Sequence, residues 1–255
     1  MERKPTILVT NDDGYMANGL KVLSDLMRQI GKVVVVTTEK VKSAQSHSMT
    51  LHDPLRMRLM EKAEDYEMYV LTGCPVDCAK VGFQMILDEY PDILVSGINH
   101  GSNASTNVIY SGTMAAVVEA CMDGIPAVGY SVTSYSPNAY FGHIEKYILD
   151  ITQKVLKEGL PKGVCLNVNF PEYKGEEIKG VKVCRQAAGR WKEIFDKRKD
   201  PAGREYFWIG GNFVLDDDGE DTDIYALEHN YASIVPTHYD WTAYDAIKQL
   251  KTFEK

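Results

Sequence analysis

Asn11, Asp12, Asp13 and Gly14 follow the apolar run Ile7-Leu8-Val9, setting two adjacent carboxylates and a turn glycine where a buried strand would end. Open α/β sheets bind ligands at the carboxyl ends of their strands. Like charges a few ångströms apart raise one pKa strongly unless a cation lies between them, so a side-by-side pair in this position invites a divalent metal. Taken alone, Asp-Asp-Gly equally serves a turn or a helix cap. Three further segments bear on the choice. Ser43 and His47 fall in a Ser/His-rich loop after a second strand, Gly97-Ile98-Asn99-His100-Gly101-Ser102-Asn103 follows another apolar run, and Ser111-Gly112-Thr113 opens an alanine-rich stretch. Asn99 offers an amide oxygen to a metal shell, and the flanking glycines let a loop turn its backbone amides toward an anion. A helix start presents unpaired N–H groups and the positive end of its dipole, which makes Ser111 to Thr113 a phosphate site as well as a plain N-cap. Oxygen donors without nearby cysteine or paired histidine favour Mg²⁺, Mn²⁺ or Ca²⁺ over zinc. The chemistry these residue types would serve is metal-assisted cleavage of a phosphomonoester, with Asp12 or Asp13 as base or nucleophile and His47 or His100 as proton donor.

Such loops need a scaffold that brings them to one edge. Runs rich in β-branched residues alternate with helical patterns through the first two thirds of the chain, the signature of a parallel sheet covered on both faces. Thr6 to Val9 is the first strand, and Leu20, Leu23, Met27 and Ile30 share one face of a helix ending near Gly31. Val33 to Val36 is too apolar for a strand with a wet face and belongs in the middle of the sheet. The segment Ser48 to Thr72 contains Pro54 and reads as an edge hairpin with a returning strand at Met68 to Leu71. Pro75 opens a helix to about Leu87, Asp92 to Ser96 is a strand, and Gly112 to Met122 is a helix of small residues able to lie close to the sheet. Ile125 to Tyr130 is a strand, Ile144 to Leu156 a helix, and Val164 to Phe170 a strand ended by Pro171. Beyond Glu172 glycine, aspartate and aromatic residues rise, and Asp200-Pro201-Ala202-Gly203 signals a turn, so hairpins and short helices are expected. The organisation expected is one domain over 1–255, with a core to about 171 and an excursion over 172–255.

The 255 residues are 44% hydrophobic and 25% charged, an ordinary globular balance that sets disordered and fibrous classes aside. A net charge of -8 disfavours a polymeric nucleic acid, which needs clustered Lys and Arg. A small phosphate ligand remains compatible, given a cation or backbone amides. The five cysteines are odd in number and lack C-x-x-C spacing, so reduced buried thiols are expected. The apolar run after the charged Met1 to Lys4 is about five residues, short of a signal-peptide core, and nothing approaches the ~20 residues of a membrane span. A cytoplasmic protein with no membrane partner is expected. Neither a P-loop nor a Gly-x-Gly-x-x-Gly fingerprint occurs. Asp216 to Asp218 with Gly219 has Val214 and Tyr225 where a calcium loop needs ligands, and reads as a solvated turn.

The runs Ile7-Leu8-Val9-Thr10-Asn11-Asp12-Asp13-Gly14, Val95-Ser96-Gly97-Ile98-Asn99-His100-Gly101-Ser102-Asn103 and Tyr110-Ser111-Gly112-Thr113-Met114-Ala115-Ala116 together resemble the SurE (survival protein E) family of nucleoside monophosphate phosphatases. Thr72-Gly73-Cys74-Pro75-Val76-Asp77-Cys78 and Tyr231-Ala232-Ser233-Ile234-Val235-Pro236 are similar to two further segments of that family, in the same order. The resemblance implies a Rossmann-like, three-layer, mostly parallel α/β sheet with a C-terminal hairpin and helix excursion. It implies one divalent ion per subunit, Mg²⁺ or Mn²⁺, held by Asp12, Asp13, Ser43 and Asn99, and a phosphate pocket of Asn99, Gly101, Asn103, Ser111, Gly112 and Thr113. The implied activity is release of phosphate from nucleoside 5′- and 3′-monophosphates and short polyphosphate, by a homodimer or homotetramer with a swapped C-terminal excursion. Cys74, Met114 and Ala120 stand where the family commonly has Thr, Val and Gly, and no Arg precedes Ser43.

Two other classes share part of this pattern. A receiver-type signalling module also starts with a strand and paired carboxylates around Mg²⁺, but it needs an acceptor Asp where Ile93-Leu94-Val95 runs into Ser96-Gly97. A haloacid-dehalogenase-like phosphatase needs Asp-x-Asp, and Asp12 and Asp13 are adjacent.

Overall fold

The computed structural model describes residues 3–254, so Met1, Glu2 and Lys255 lie outside the described residues. The strands are β1 Thr6–Thr10, β2 Lys32–Thr38, β3 Met57–Lys62, β4 Tyr66–Leu71, β5 Ile93–His100, β6 Ala127–Val132, β7 Val164–Phe170, β8 Val181–Val183, β9 Gly189–Lys199, β10 Glu205–Leu215 and β11 Ala232–His238. Nine of them form one sheet in the order β3-β4-β2-β1-β5-β6-β7-β11-β8, while β9 and β10 form a separate antiparallel hairpin. Within the large sheet only β3 against β4 and β11 against β7 run antiparallel. This is the mostly parallel α/β architecture with a C-terminal hairpin that the sequence predicts.

Alternation along the central strands explains the layers. Ile7, Val9, Val33, Val35, Ile93 and Val95 face one apolar core, closed by α1 Asn18–Arg28 through Leu23 and Met27 and by α4 Glu145–Glu158 through Ile148. Leu8, Val34, Val36 and Leu94 face the other, closed by α2 Pro75–Val81 through Cys78 and by α3 Gly112–Met122 through Ala116 and Val117. The four valines of β2 are needed because neither face meets water, and each such side chain contributes about 1.5–3 kcal/mol by burial. Cys74 opens α2 in a capping box with Asp77, and the helix passes into a π-helical turn Gly82–Ile86 short of Leu87.

Two boundaries differ from the sequence reading. Strand β5 does not stop at Ser96: after an irregularity between Ser96 and Asn99 it rejoins β6, pairing Asn99 with Ser131 and His100 with Val132. Gly97 marks a bulge rather than a strand end, its φ of +131° open to glycine and its missing Cβ leaving room for the Tyr130 carbonyl. Beyond residue 171, β11 returns to pair antiparallel with β7 and carries β8 on its outer edge, so this segment lengthens the sheet as well as forming the hairpin, α5 Asp223–Glu228 and α6 Tyr244–Leu250. Asp217 in the acidic turn is engaged by Arg185, with a contact of 3.0 Å from Nη2 to Oδ1. No helix among the described residues is long and apolar enough to cross a membrane.

Candidate active site

Parallel pairing of β1 with β5 in the register Thr10 with Ser96 brings the two strand ends side by side. Asn11 shapes the turn that follows β1: its Oδ1 accepts from Thr37 Oγ1 at 2.5 Å and its Nδ2 donates to the Gly14 carbonyl at 2.9 Å. The turn drives Asp12 inward, where it is 4% exposed. Asp12 Oδ1 accepts from Thr113 Oγ1 at 2.7 Å, and a Cβ on Gly112 would lie 2.9 Å from the Asp12 Oδ2, so the start of α3 seats on this carboxylate only as glycine. Ser111 caps α3, its side chain accepting from the Met114 N–H at 3.0 Å. The plain capping role is therefore realised, and it leaves the N–H groups of residues 112 and 113 without helical acceptors.

Burial pushes the Asp12 carboxyl up to about 6, the Thr113 hydroxyl pulling against that rise and the charge of Asp13 adding to it. No ion pair among the described residues reaches Asp12. Asp13 turns the other way, its Oδ2 accepting from the His100 N–H at 3.1 Å and lying 3.2 Å from His100 Nδ1. Asn99 donates Nδ2 to the Gly101 carbonyl at 2.7 Å, which leaves its Oδ1 available. Lys42 N–H donates to the Asp12 carbonyl at 2.7 Å and brings the next residue, Ser43, to the same place.

A cavity of about 660 Å³ opens here, with Asp12, Ser43, Asn99, Gly101, Asn103 and Ser111 on its wall. Gly112 and Thr113 stand behind Asp12, and Asp13 stands against His100. The donors are hard oxygens: one buried carboxylate without a cationic partner, a second beside it, an amide oxygen and a hydroxyl. That set fits a divalent hard cation and no softer metal. Among the described residues no three His, Cys, Asp or Glu side chains cluster as a metal centre.

The two histidines separate. His100 lines this cavity, and its buried Nε2 has no hydrogen-bond partner. His47 points away, its Nε2 2.7 Å from Glu119 Oε2 beside a second cavity of about 610 Å³ against α3. Glu119 also pairs with Lys80, and hydrogen bonds from His47 first and Lys80 after it hold its carboxyl below the usual range despite its burial.

Residues not singled out from sequence complete the site. Asn103 is locked by an amide belt: its N–H donates to Asn169 Oδ1 at 2.8 Å, its Nδ2 to Ser131 Oγ at 2.8 Å, and its carbonyl accepts from Asn167 Nδ2 at 2.8 Å. The signal was present in the strand Val-Cys-Leu-Asn-Val-Asn-Phe, where two buried asparagines two apart must share one sheet face and find partners there. The opposite side of the cavity is the hairpin, through Trp191, Glu193, Ile209 and the Gly210-Gly211 backbone, with Tyr110 and Tyr135 between.

Comparison with known proteins places this geometry among relatives. The family model described as survival protein SurE matches residues 7–193. The chain is 51% identical over 254 residues to a protein of Christiangramia forsetii named 5′-nucleotidase SurE, covering 99% of this chain and 98% of the relative. It is 50% identical over 253 residues to a protein of the same name from Flavobacterium psychrophilum, covering 98% of each. The crystal structure of the SurE protein from Aquifex aeolicus superposes with a TM-score of 0.84 at 38% identity, covering 98% of this chain and all of that one.

Proposed function

This chain belongs to the survival protein SurE family, and on that footing we propose that it is a metal-dependent 5′-nucleotidase acting at the cavity floored by Asp12. The observation that carries the reading is the convergence of an unpaired buried carboxylate, a capped helix start and an amide oxygen on one wall. Asp12, Asp13, Ser43 and Asn99 would hold one divalent cation, Mg²⁺ or Mn²⁺. Such a cation would supply positive charge to screen the phosphate from the two carboxylates and Lewis acidity to ease deprotonation of the attacking water.

The remaining steps belong to the chain. The Gly112 N–H, the α3 dipole, the Asn103 amide and the Ser111 hydroxyl bind and orient the phosphate, and the backbone donor gains strength as charge builds on its oxygens. One of the two carboxylates, Asp12 or Asp13, would act as base or nucleophile, Asp13 being engaged by His100. His100 is the histidine at the cavity, and with Nδ1 facing Asp13 and Nε2 buried it would orient that carboxylate rather than meet the leaving oxygen itself. Nothing favours the receiver-type alternative, since β5 runs through Ser96 and Gly97 where an acceptor aspartate would be needed.

The substrates proposed are nucleoside 5′-monophosphates, with 3′-monophosphates and short polyphosphate as lesser ones. A homodimer or homotetramer is supported by the exposed apolar residues of the hairpin, Phe207 and Trp208, and of the C-terminal segment, Trp241, Leu250 and Phe253. Five free buried cysteines agree with a reducing, cytoplasmic location. Phosphate release from a panel of nucleoside monophosphates, with Mg²⁺ or Mn²⁺ varied and EDTA as control, tests the reading. Metal-independent turnover, or none with any nucleotide, overturns it.

A further inference from the structure

The cavity has two unlike sides. Its floor is polar and built on the sheet, but its outer side is aromatic: Trp191, with Tyr110 and Tyr135 at the rim. Residues 191, 193 and 195 of β9 and their cross-strand partners 213, 211 and 209 of β10 share one hairpin face, and that face looks into the cavity. Trp191 is held rather than loose. Its Nε1 donates to Asn107 Oδ1 at 2.8 Å, and its ring meets Phe213 edge-on, with centroids 5.9 Å apart at 74°. The hairpin base is fixed as well, Thr106 Oγ1 donating to the Gly189 carbonyl at 2.7 Å and Ser105 Oγ to the Ala187 carbonyl at 2.8 Å. Gly211, opposite Glu193, has a φ of +151°, and its missing side chain leaves the cavity face open diagonally across from Trp191. A large indole that is 38% exposed, anchored at its polar atom and left open on the cavity side is a surface for a flat aromatic group.

We infer that Trp191 is the platform on which the base of a nucleotide stacks while its phosphate lies at the Asp12 floor, making this residue a determinant of substrate class. The inference rests on the nucleotidase reading and deepens it. The hairpin, a separate sheet with no catalytic group, then selects phosphomonoesters with an aromatic heterocycle over sugar phosphates of the same charge.

The test compares KM for AMP and for ribose 5-phosphate in the full-length protein at saturating Mn²⁺. Base stacking on an aromatic side chain is strong enough that Trp191→Ala should shift the KM ratio against AMP by about tenfold or more. Trp191→Phe should recover most of it, and Trp208→Ala, on the opposite hairpin face, should leave the ratio unmoved. A Trp191→Ala ratio equal to wild type, or an equal rise for both substrates, overturns the platform. If the wild-type protein hydrolyses neither compound the nucleotidase reading falls instead, and calorimetric titration of AMP and ribose 5-phosphate into the same variants still decides whether the indole holds the base.

Discussion

The floor and the outer wall of the cavity are built by opposite means. Asp12, Asn103 and Ser111 are 4%, 6% and 7% exposed and stand just past strand ends or at a helix start, on elements that fill two apolar cores. The hairpin wall is a two-stranded sheet exposed along nearly its whole length and tied to the body by a few hydrogen bonds at its base. Floors of this kind hold reacting groups within tight tolerances, whereas a wall hung on few contacts adapts to what it covers. The difference separates rate from choice of substrate, and damage on the two sides should read out differently. Asp12→Asn keeps the Thr113 hydrogen bond and the shape of the floor but removes a charge and a base. It should lower kcat at least about a thousandfold with little change in KM for AMP, the largest effect expected anywhere in the molecule. Measured kcat within tenfold of wild type would mean that the floor does not carry the chemistry.

The amide belt beneath the floor offers the next cut. Asn169→Ala leaves the Asn103 N–H and the Asn167 side chain short of partners in a buried place. A loss of about 1–3 kcal/mol in urea unfolding is expected, together with a several-fold rise in KM as Asn103 loosens. A stability loss without any kinetic change would show the belt to be scaffold alone.

These asparagines also mark what the sequence could and could not disclose. The floor was legible because its donors lie in short contiguous runs at strand ends and at a helix start, where local rules relate residue type to role. Asp12, Asn99 and Ser111 needed no knowledge of distant pairing, while Asn103 came only with the resemblance to the SurE family. The end of β5 was not legible, because a glycine reads as a terminator whether it ends a strand or bulges one. The return of β11 to β7 and the hydrogen bond from Trp191 to Asn107 are long-range contacts that no local pattern encodes. His47 shows the same limit: near Ser43 in sequence, it reaches α3 rather than the cavity because its Nε2 hydrogen-bonds the buried Glu119 carboxylate there.

Acidity sharpens the contrast further. The folded Asp12 binds its proton more tightly than an unfolded aspartate, about 6 against 3.8, so its contribution favours the fold below the lower value and is lost as pH rises through the higher. In EDTA, Asp12→Asn should therefore be more stable than wild type at pH 7, by about 1–3 kcal/mol, and the two should converge toward pH 4. Mn²⁺ should narrow the gap at pH 7 by stabilising wild type. Parallel Tm curves from pH 4 to 7 would mean that the carboxylate is not strained by burial.

The smallest effect is expected at the one part of the floor built like the wall. Ser43 sits in a loop with little apolar anchorage, next to Ala44 and near Ser46, which hold left-handed φ values of 56° and 53°. Polar ties fix it: Ser46 N–H to the Tyr110 carbonyl at 3.1 Å, Ser46 Oγ to the Ile109 carbonyl at 2.7 Å, and His47 to Glu119 at 2.7 Å. His47→Ala removes only the last, and Lys80 still pairs with Glu119, so the fold should keep its stability within about 0.5 kcal/mol. Ser43 would then be held less firmly. Half-saturating Mn²⁺ should rise about three- to fivefold with the rate at saturating metal nearly unchanged, as a loss of roughly 0.5–1 kcal/mol of preorganisation requires. His47→Gln, able to donate to Glu119, should restore most of the affinity. Free Mn²⁺ counted by electron paramagnetic resonance gives the answer without turnover, and equal affinities in all three proteins would mean that the remaining ties already hold Ser43 in place.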